Sequence, residues 1–155
     1  YLTDTTKYSK FFLKNISGSR FNDWNCDYQR FKSIADWAMD RLDGCTHIAL
    51  EGYSFGSKGK VFHIAENTGV LKYKIHMTGV PLEVVPPTTI KKFATGKGSA
   101  DKVVMHKSFF EETGINLKEE ITPDKKTVDN PVSDIVDSYF ICKYLHDKVL
   151  ESYTY

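Results

Sequence analysis

The chain has 155 residues, of which 41% are hydrophobic and 26% charged, and its formal net charge is +1. These values predict one folded domain spanning residues 1–155 and exclude an intrinsically disordered chain. No apolar run approaches the roughly 20 residues that a membrane-spanning helix needs, so we expect no membrane segment. The three cysteines form no C-x-x-C pair, which favours reduced thiols in the cytoplasm over disulfides or a zinc site.

The charged residues are distributed unevenly along the chain. Nine lysines and three acids lie between Lys58 and Lys107, whereas eight acids and three lysines lie between Glu111 and Asp137. A basic segment followed by an acidic one suits a phosphate-contacting surface beside a cluster of carboxylates. Two differently solvated faces would give the same pattern, so charge alone leaves both interpretations open.

The first part of the chain alternates between strand and helix patterns. Tyr8–Lys14 is typical of a strand, and the spacing of apolar residues from Asn22 to Leu42 predicts an amphipathic helix. Gly44 closes that helix. The mostly apolar run His47–Tyr53 predicts a central strand buried on both faces, with its one acid, Glu51, near its C-terminal end.

The remaining elements continue this alternation. A helix is predicted from about Lys60 to His76, and a short strand at Leu82–Val85 is stopped by two prolines. Ser99 is expected to cap a helix that runs to about Thr113, and the polar residues 116–129 are expected to form a loop. Asn130 as N-cap, followed by proline, predicts a last helix to about Leu150. Strands interleaved with helices indicate an α/β domain.

Three carboxylates occupy positions that suit a divalent cation. A charged carboxylate on a buried strand is costly without a partner, so Glu51 is expected to face a cation. Asp134 and Asp137 are spaced i, i+3 in the first turn of the last predicted helix and therefore share one face. That pair alone is explained by the helix dipole. Together with Glu51 it predicts a Mg²⁺ site, because this hard cation prefers carboxylate and water oxygens.

Four stretches stand out in chain order: IALEGYS around Glu51, GVLKYKI at Gly69–Ile75, TIKKFATGKGSADK at Thr89–Lys102 and NPVSDIVDSYFICKY at Asn130–Tyr144. In this order and spacing they resemble the RuvC family of Holliday-junction resolvases. They are similar to that family's second acidic strand, the helix after it, its basic pair with a glycine loop, and its closing helix with two metal-binding aspartates. The resemblance implies a ribonuclease-H-like α/β fold, a mixed central sheet with helices on both faces.

The resemblance also implies roles for individual residues. Glu51, Asp134 and Asp137 are expected to bind the metal, with two Mg²⁺ ions expected and Mn²⁺ able to substitute. Lys91 and Lys102 are expected to contact the scissile or neighbouring phosphates. A lysine suits this role because its compact cation offsets the charge that develops at the transition state.

Two more lysines and two aromatic residues are implied as further DNA contacts. Lys92 and Lys97 are expected to contact the DNA backbone as accessory residues, although for Lys97 a solvated surface position is the preferred interpretation. Tyr53 and Phe55 follow Glu51, where relatives place an aromatic residue near the junction centre, and they would stack on an unpaired base. Tyr53 would equally suit the hydrophobic core.

The first acid of the family's metal site has no counterpart in the chain. That acid lies on an N-terminal strand, Tyr1–Leu2 matches the end of this strand, and Asp4 falls too late. We therefore expect the first strand and its acid to lie upstream of Tyr1. On this expectation the chain as given binds metal poorly and cuts slowly or not at all.

The implied reaction is Mg²⁺-dependent hydrolysis of DNA phosphodiesters by an activated water. The implied substrates are four-way or other branched junctions. Because a four-way junction presents two symmetry-related strands, we expect a two-fold homodimer, with the helix at Lys60–His76 as its interface. The lysine- and tyrosine-rich composition suits a bacteriophage enzyme.

Two alternatives remain at the level of sequence. The same fold with an incomplete acidic set would bind branched DNA without cutting it. More remotely, the G-x-S-x-G match at Gly52–Gly56 would make Ser54 the nucleophile of a serine hydrolase, with His146 as its base. The loop-like residues after Ser54 and the lack of an HGGG-type segment argue against this second alternative.

Overall fold

The computed structural model describes residues 24–53 and 61–153, which divide into two compact units. We call them the sheet unit, which ends at Pro86, and the helical unit, which begins at Pro87. The strand predicted at Tyr8–Lys14 lies outside the described residues. The expectation of a single domain stays a prediction.

The sheet unit is a strand–helix–strand arrangement preceded by a helix. Its elements are α1 (Asp27–Leu42), β1 (Ile48–Glu51), α2 (Val61–Thr78) and β2 (Leu82–Val85). The two strands are parallel, with Ile48 opposite Leu82 and Glu51 opposite Val85. Parallel strands need a crossover connection, which the α2 segment provides. The helices and strands predicted for these residues are confirmed, with ends that differ by a few residues.

Helices α1 and α2 pack against each other through an apolar face. Ala35 of α1 and Ile75 of α2 are both buried. Beside them, the Asp36 carboxylate accepts hydrogen bonds from Lys32 of the same helix and from Lys74 of α2. These bonds, led by the one from Lys32, lower the pKa of Asp36, so it remains charged and links the two helices.

The expected burial of β1 on both faces is wrong for the described residues. Ile48 is buried, Ala49 and Leu50 are half-buried, and Glu51 is exposed. Within the described residues β1 pairs with β2 in a two-stranded sheet. An apolar run predicts a strand, but the number of covered faces depends on the elements that pack around it.

The helical unit contains α3 (Pro87–Thr95), α4 (Lys102–Thr113), α5 (Leu117–Ile121) and α6 (Val132–Ser152). The long helix α6 packs against the other three, and α3 also packs against α4. Phe109 of α4, Leu117 of α5 and Phe140 of α6 are almost completely buried. The core of this unit is therefore built around α6.

Three local predictions in the helical unit are corrected by the structure. Pro87 begins α3 instead of only ending a strand, because proline is favoured in the first turn of a helix. Asp101, not Ser99, caps α4, and its carboxylate accepts a hydrogen bond of 2.9 Å from the Val104 backbone N–H. The stretch expected to be a loop contains α5, which Asn116 caps through the Glu119 backbone N–H.

The described residues bear on the predictions about membrane segments and cysteines. None of the helices that they form is long and apolar enough to cross a membrane. Cys26, Cys45 and Cys142 are free, exposed thiols. The cytoplasmic location stays a prediction.

Two glycines, one inside α2 and one just after its C-terminal end, allow a matched test of its geometry. Gly79 follows the helix with a φ of +74°, a conformation that alanine adopts only with strain, whereas Gly69 lies inside the helix with no atom near an added Cβ. We expect Gly79→Ala to lower the free energy of unfolding by about 1–2 kcal/mol, and Gly69→Ala to raise it by about 0.5–1 kcal/mol. Chemical denaturation of both variants measures this, and equal changes would contradict the described end of α2.

Candidate metal and nucleic-acid site

The beginning of α6 presents two carboxylates on one side of the helix. Val132, Ser133, Ile135 and Val136 are buried, whereas Asp134 and Asp137 are half-buried. The sequence spacing therefore predicted their shared face correctly. The helix begins one residue later than expected from Asn130 as N-cap, since Pro131 occupies the N-cap position.

Side chains and backbone just before α6 fix where the helix starts. The Ser133 hydroxyl donates a hydrogen bond of 2.7 Å to Asn130 Oδ1. The Ser133 backbone N–H donates to the Asp129 carbonyl, and Lys125 Nζ donates to the Asn130 carbonyl. These bonds hold residues 129–133 together, so the first turn, which carries Asp134, has a defined position.

Asp137 lies in an electrostatic setting typical of a functional carboxylate. Its burial, and next the neighbouring charge of Asp134, raise the pKa of Asp137 above its ordinary value. The positive charges of Lys91 and Lys102 oppose this rise. Asp137 is thus within electrostatic reach of three other residues predicted to act: Asp134 of the same helix, Lys91 of α3 and Lys102 of α4.

The two lysines are positioned by the packing of their helices and by a tight loop. Lys91 is half-buried on α3, and Lys102 is the exposed first residue of α4. Between them, Gly98 approaches α3 so closely that an added Cβ would lie 3.2 Å from the Thr88 carbonyl oxygen. The Asp101 cap then fixes the start of α4. The glycine loop predicted from sequence therefore sets the position of Lys102.

Asp129 joins this site although it was absent from the predicted set. Its Oδ1 lies 3.7 Å from Lys102 Nζ, and its Oδ2 accepts a hydrogen bond of 2.5 Å from the Thr127 hydroxyl. Both interactions lower the pKa of Asp129, the one with Thr127 most strongly. The sequence did contain one indication that Asp129 belongs to the site, because it lies just before the helix that carries Asp134 and Asp137.

The accessory lysines are exposed in the same unit. Lys92 lies on α3, and its carbonyl oxygen accepts a hydrogen bond from the Gly96 backbone N–H. Lys97 lies in the following loop, where its carbonyl oxygen accepts from Ala100 and Thr95. Both side chains are therefore accessible to a ligand, and their DNA contacts stay predictions.

Glu51 lies at the C-terminal end of β1 in the sheet unit and is exposed. The prediction that Glu51 needs a cation because it is buried is therefore wrong, since an exposed carboxylate does not carry that desolvation cost. Its position at the strand end agrees with the prediction. Its role as a metal ligand stays a prediction.

Tyr53 is exposed, which excludes the alternative that it is a core residue. The Lys72 ammonium lies 5.1 Å from the centre of its ring, and the phenol O–H is 3.5 Å from the Ala65 carbonyl oxygen. An exposed ring with a cation beside it suits contact with a base and its phosphate. Phe55 lies outside the described residues.

The residues of the serine-hydrolase alternative are only partly described. Ser54 lies outside the described residues, and His146 is exposed on α6 with its Nδ1 3.2 Å from Asp147 Oδ1. His63 and Glu66 form an exposed pair on α2 with 3.9 Å between His63 Nδ1 and Glu66 Oε2. These histidines are surface residues that pair with neighbouring acids.

The donor set at the start of α6 suits Mg²⁺ or Mn²⁺. Asp134 and Asp137 offer carboxylate oxygens, and Mg²⁺ is commonly held by one or two carboxylates, with waters and substrate phosphates completing its shell. Over residues 24–53 and 61–153, no group of three or more His, Cys, Asp or Glu side chains is arranged to hold a metal. Within this part of the chain the two aspartates would be the protein ligands, and water or substrate oxygens would have to complete the shell of a bound ion.

Comparison with known proteins identifies the fold. No protein-family model and no curated protein sequence matches the chain. A solved structure of Thermus thermophilus RuvC is similar, with a TM-score of 0.62 and 14% identity over 83% of this chain and 75% of that chain. The structure of T. thermophilus RuvC in complex with a Holliday junction substrate is similar at a TM-score of 0.60 and 13% identity, over 82% and 74% of the two chains.

These similarities show that the chain has the ribonuclease-H-like α/β fold of RuvC. The fold class expected from the sequence is thereby confirmed, with a helix-rich structure and a small parallel sheet in the described residues. The fold differs from the α/β-hydrolase architecture that the serine-hydrolase alternative requires. The bacteriophage source stays a prediction.

Asp137→Asn tests the electrostatics of the site in metal-free buffer. Because the pKa of Asp137 is raised in the folded protein, stability falls as pH rises from the ordinary value of 3.8 through the raised value. We therefore expect the substitution to raise the free energy of unfolding at pH 7 and to have less effect below about pH 4. Denaturation with a chelator present, followed across pH, measures this.

Asp129→Asn is the matched control with the opposite sign. The pKa of Asp129 is lowered, so its carboxylate contributes stability above its unfolded pKa, and that contribution is lost as pH falls. The Asn variant should therefore be less stable at pH 7. A stabilising effect of Asp129→Asn, or a destabilising one of Asp137→Asn, would contradict the described surroundings.

Proposed function

We propose that this protein is a Mg²⁺-dependent endonuclease that cuts four-way or other branched DNA. One observation carries the proposal. In a ribonuclease-H-like fold, Asp137 interacts electrostatically with Asp134, Lys91 and Lys102. Carboxylates bind hard cations and lysines bind phosphates. Together they form a site for a phosphodiester and its metal.

Each residue contributes a separate part of the chemistry. The carboxylates of Asp134 and Asp137 would hold Mg²⁺, or Mn²⁺ in its place, with two ions expected. When bound, such ions supply Lewis-acid stabilisation and lower the pKa of an attacking water. The ammonium groups of Lys91 and Lys102 bind the phosphate and stabilise the negative charge that accumulates on it during hydrolysis.

The proposed substrate rests on the similarity to T. thermophilus RuvC, which is solved in complex with a Holliday junction substrate. Exposed lysines of the helical unit, Lys92 and Lys97, are available for further phosphate contacts. The exposed ring of Tyr53, with Lys72 beside it, is available to stack on an unpaired base. Glu51 is retained as a proposed third ligand on the resemblance alone.

Cleavage of an end-labelled four-way junction in Mg²⁺ tests the proposal. For the full-length natural protein we expect paired, symmetric nicks. Asp134→Asn and Asp137→Asn should each reduce them by about 100-fold or more, because even partners of metal ligands are worth roughly 10–100-fold. Lys102→Met should reduce the rate by roughly 100-fold through lost charge stabilisation. Quantified product formation under single-turnover conditions is the measurement.

Asp147→Asn is the control for this series, since Asp147 lies on the same helix far from its first turn. It should cut at the wild-type rate. Glu51→Gln reports separately on the sheet unit, and an unchanged rate would remove Glu51 from the proposed ligand set. Equal loss of activity in Asp147→Asn and Asp134→Asn would refute a specific role for the acid pair.

A non-catalytic DNA-binding protein of the same fold is the second candidate. In it, the exposed lysines of the helical unit would bind DNA phosphates without metal chemistry at Asp134 and Asp137. Junction binding that persists in a chelator, with no nicks in Mg²⁺ or Mn²⁺ from the wild type, would support this function over the nuclease.

We further propose a two-fold homodimer that uses α2, the helix predicted as the interface. Phe62, Tyr73 and Met77 lie along one stripe of α2, and their side chains are 79%, 64% and 67% exposed. Apolar residues clustered on an exposed helix face are typical of contact surfaces. A dimer would present two sites to the two symmetry-related strands of a junction.

Light scattering of Tyr73→Glu tests this dimer. A charge placed in an apolar contact is costly when it is buried, so we expect the variant to be monomeric at micromolar concentration where the wild type is dimeric. Ile64→Glu, on a different side of α2 and also exposed, should remain dimeric. A wild type that is monomeric at high concentration would contradict the proposed dimer.

A further inference from the structure

Asp129 is held so that one carboxylate oxygen faces Lys102. The Thr127 hydroxyl donates to Oδ2, whereas Oδ1 lies 3.7 Å from Lys102 Nζ. The Asp129 carbonyl oxygen also accepts a hydrogen bond of 3.2 Å from the Ser133 backbone N–H. The carboxylate is thus anchored beside the first turn of α6, and its free oxygen is directed at the first residue of α4.

The contact between Asp129 and Lys102 is one that a stronger anion can displace. The side chains of Lys102 and Asp129 are 54% and 50% exposed, and ion pairs in that setting contribute little to stability. A DNA phosphate offers several oxygens and is surrounded by further phosphates. Lys102 therefore gains from exchanging the carboxylate for a phosphate, whereas Asp129 loses its partner.

We propose that Asp129 is a positioning residue that holds the Lys102 ammonium beside the acid pair until a DNA phosphate replaces it. The proposal rests on the proposed phosphate-binding role of Lys102. Asp129 acts as an internal counterion: it keeps Lys102 near Asp134 and Asp137 in the absence of DNA, and it weakens binding of any DNA that Lys102 contacts.

This exchange predicts a particular salt dependence. Each lysine that neutralises a phosphate of duplex DNA steepens the slope of log K against log salt by about 0.9, through released counterions. In the wild type, Asp129 loses Lys102 as its partner when DNA binds, and its carboxylate then attracts a cation from solution. This uptake partly cancels the cation release that Lys102 causes, so the salt slope is less steep. Without the Asp129 charge, Lys102 should contribute its full share, about 0.9, to the slope of log K against log salt.

Binding of a fluorescent four-way junction over a range of salt concentrations, in a chelator that prevents cleavage, tests the proposal. We expect Asp129→Asn to bind roughly two- to fivefold more tightly than the wild type at low salt, the range of an exposed ion pair. Its salt slope should be steeper by up to about 0.9. In a Lys102→Met background, Asp129→Asn should have no more effect than any other loss of one negative charge.

Glu111→Gln measures that general effect of charge. Glu111 pairs with Lys107 on α4 at 3.5 Å, and both side chains are exposed, so this variant breaks a similar pair and changes the net charge equally. An equal gain in affinity for Glu111→Gln and Asp129→Asn would overturn the proposal, as would an Asp129→Asn effect that persists fully without Lys102.

The failure of this inference is distinguishable from failure of the proposed function. If the wild type binds the junction and Lys102→Met weakens binding, but Asp129→Asn changes neither affinity nor slope, the inference alone is wrong. If neither the wild type nor Asp129→Asn binds DNA, both are wrong. Binding of duplex and junction with equal affinity would remove only the junction preference, because Lys102 contacts a phosphate in either case.

Discussion

The packing of α4 against α6 is the contact on which the candidate site depends. Phe109 of α4 lies edge-on to Tyr139 of α6 with 5.0 Å between ring centres, and Glu112 accepts hydrogen bonds from both Tyr139 and Lys143. Burial and the nearby Glu112 raise the pKa of Tyr139 to about 12. The hydroxyl therefore stays a donor at physiological pH, and the two helices keep one relative position.

That fixed position has an electrostatic consequence at the other end of α4. The first residue of this helix is Lys102, and the first turns of α6 carry Asp134 and Asp137. Because the helices are held together further along by aromatic and ionic contacts, Lys102 is kept within electrostatic reach of Asp137. The pKa of Asp137 is raised in these surroundings, chiefly by burial, and carboxylates with shifted pKa values are frequent at functional sites.

Two parts of the site follow from local sequence. The i, i+3 spacing of Asp134 and Asp137 fixes their shared face once α6 forms, and the apolar residues between them ensure that this face is the less buried one. The glycine loop before α4 is also readable from sequence, since Gly98 makes a close approach to Thr88 that a larger residue would obstruct. Resemblance to RuvC-type sequences then predicted the fold that solved structures show.

The sequence by itself determined α1, β1, α2, β2, α4 and α6 and the shared face of the acid pair, because each depends on spacing within one segment. It did not predict α3 or α5. Tertiary structure alone decided that Asp129 faces Lys102 and that Tyr53 is exposed with Lys72 beside it. It also decided that Glu51 is exposed, although an apolar strand indicated burial. The physical reason is the same in each case: a side chain's partners and its exposure depend on the elements that pack around it, and spacing along one segment carries no information about them.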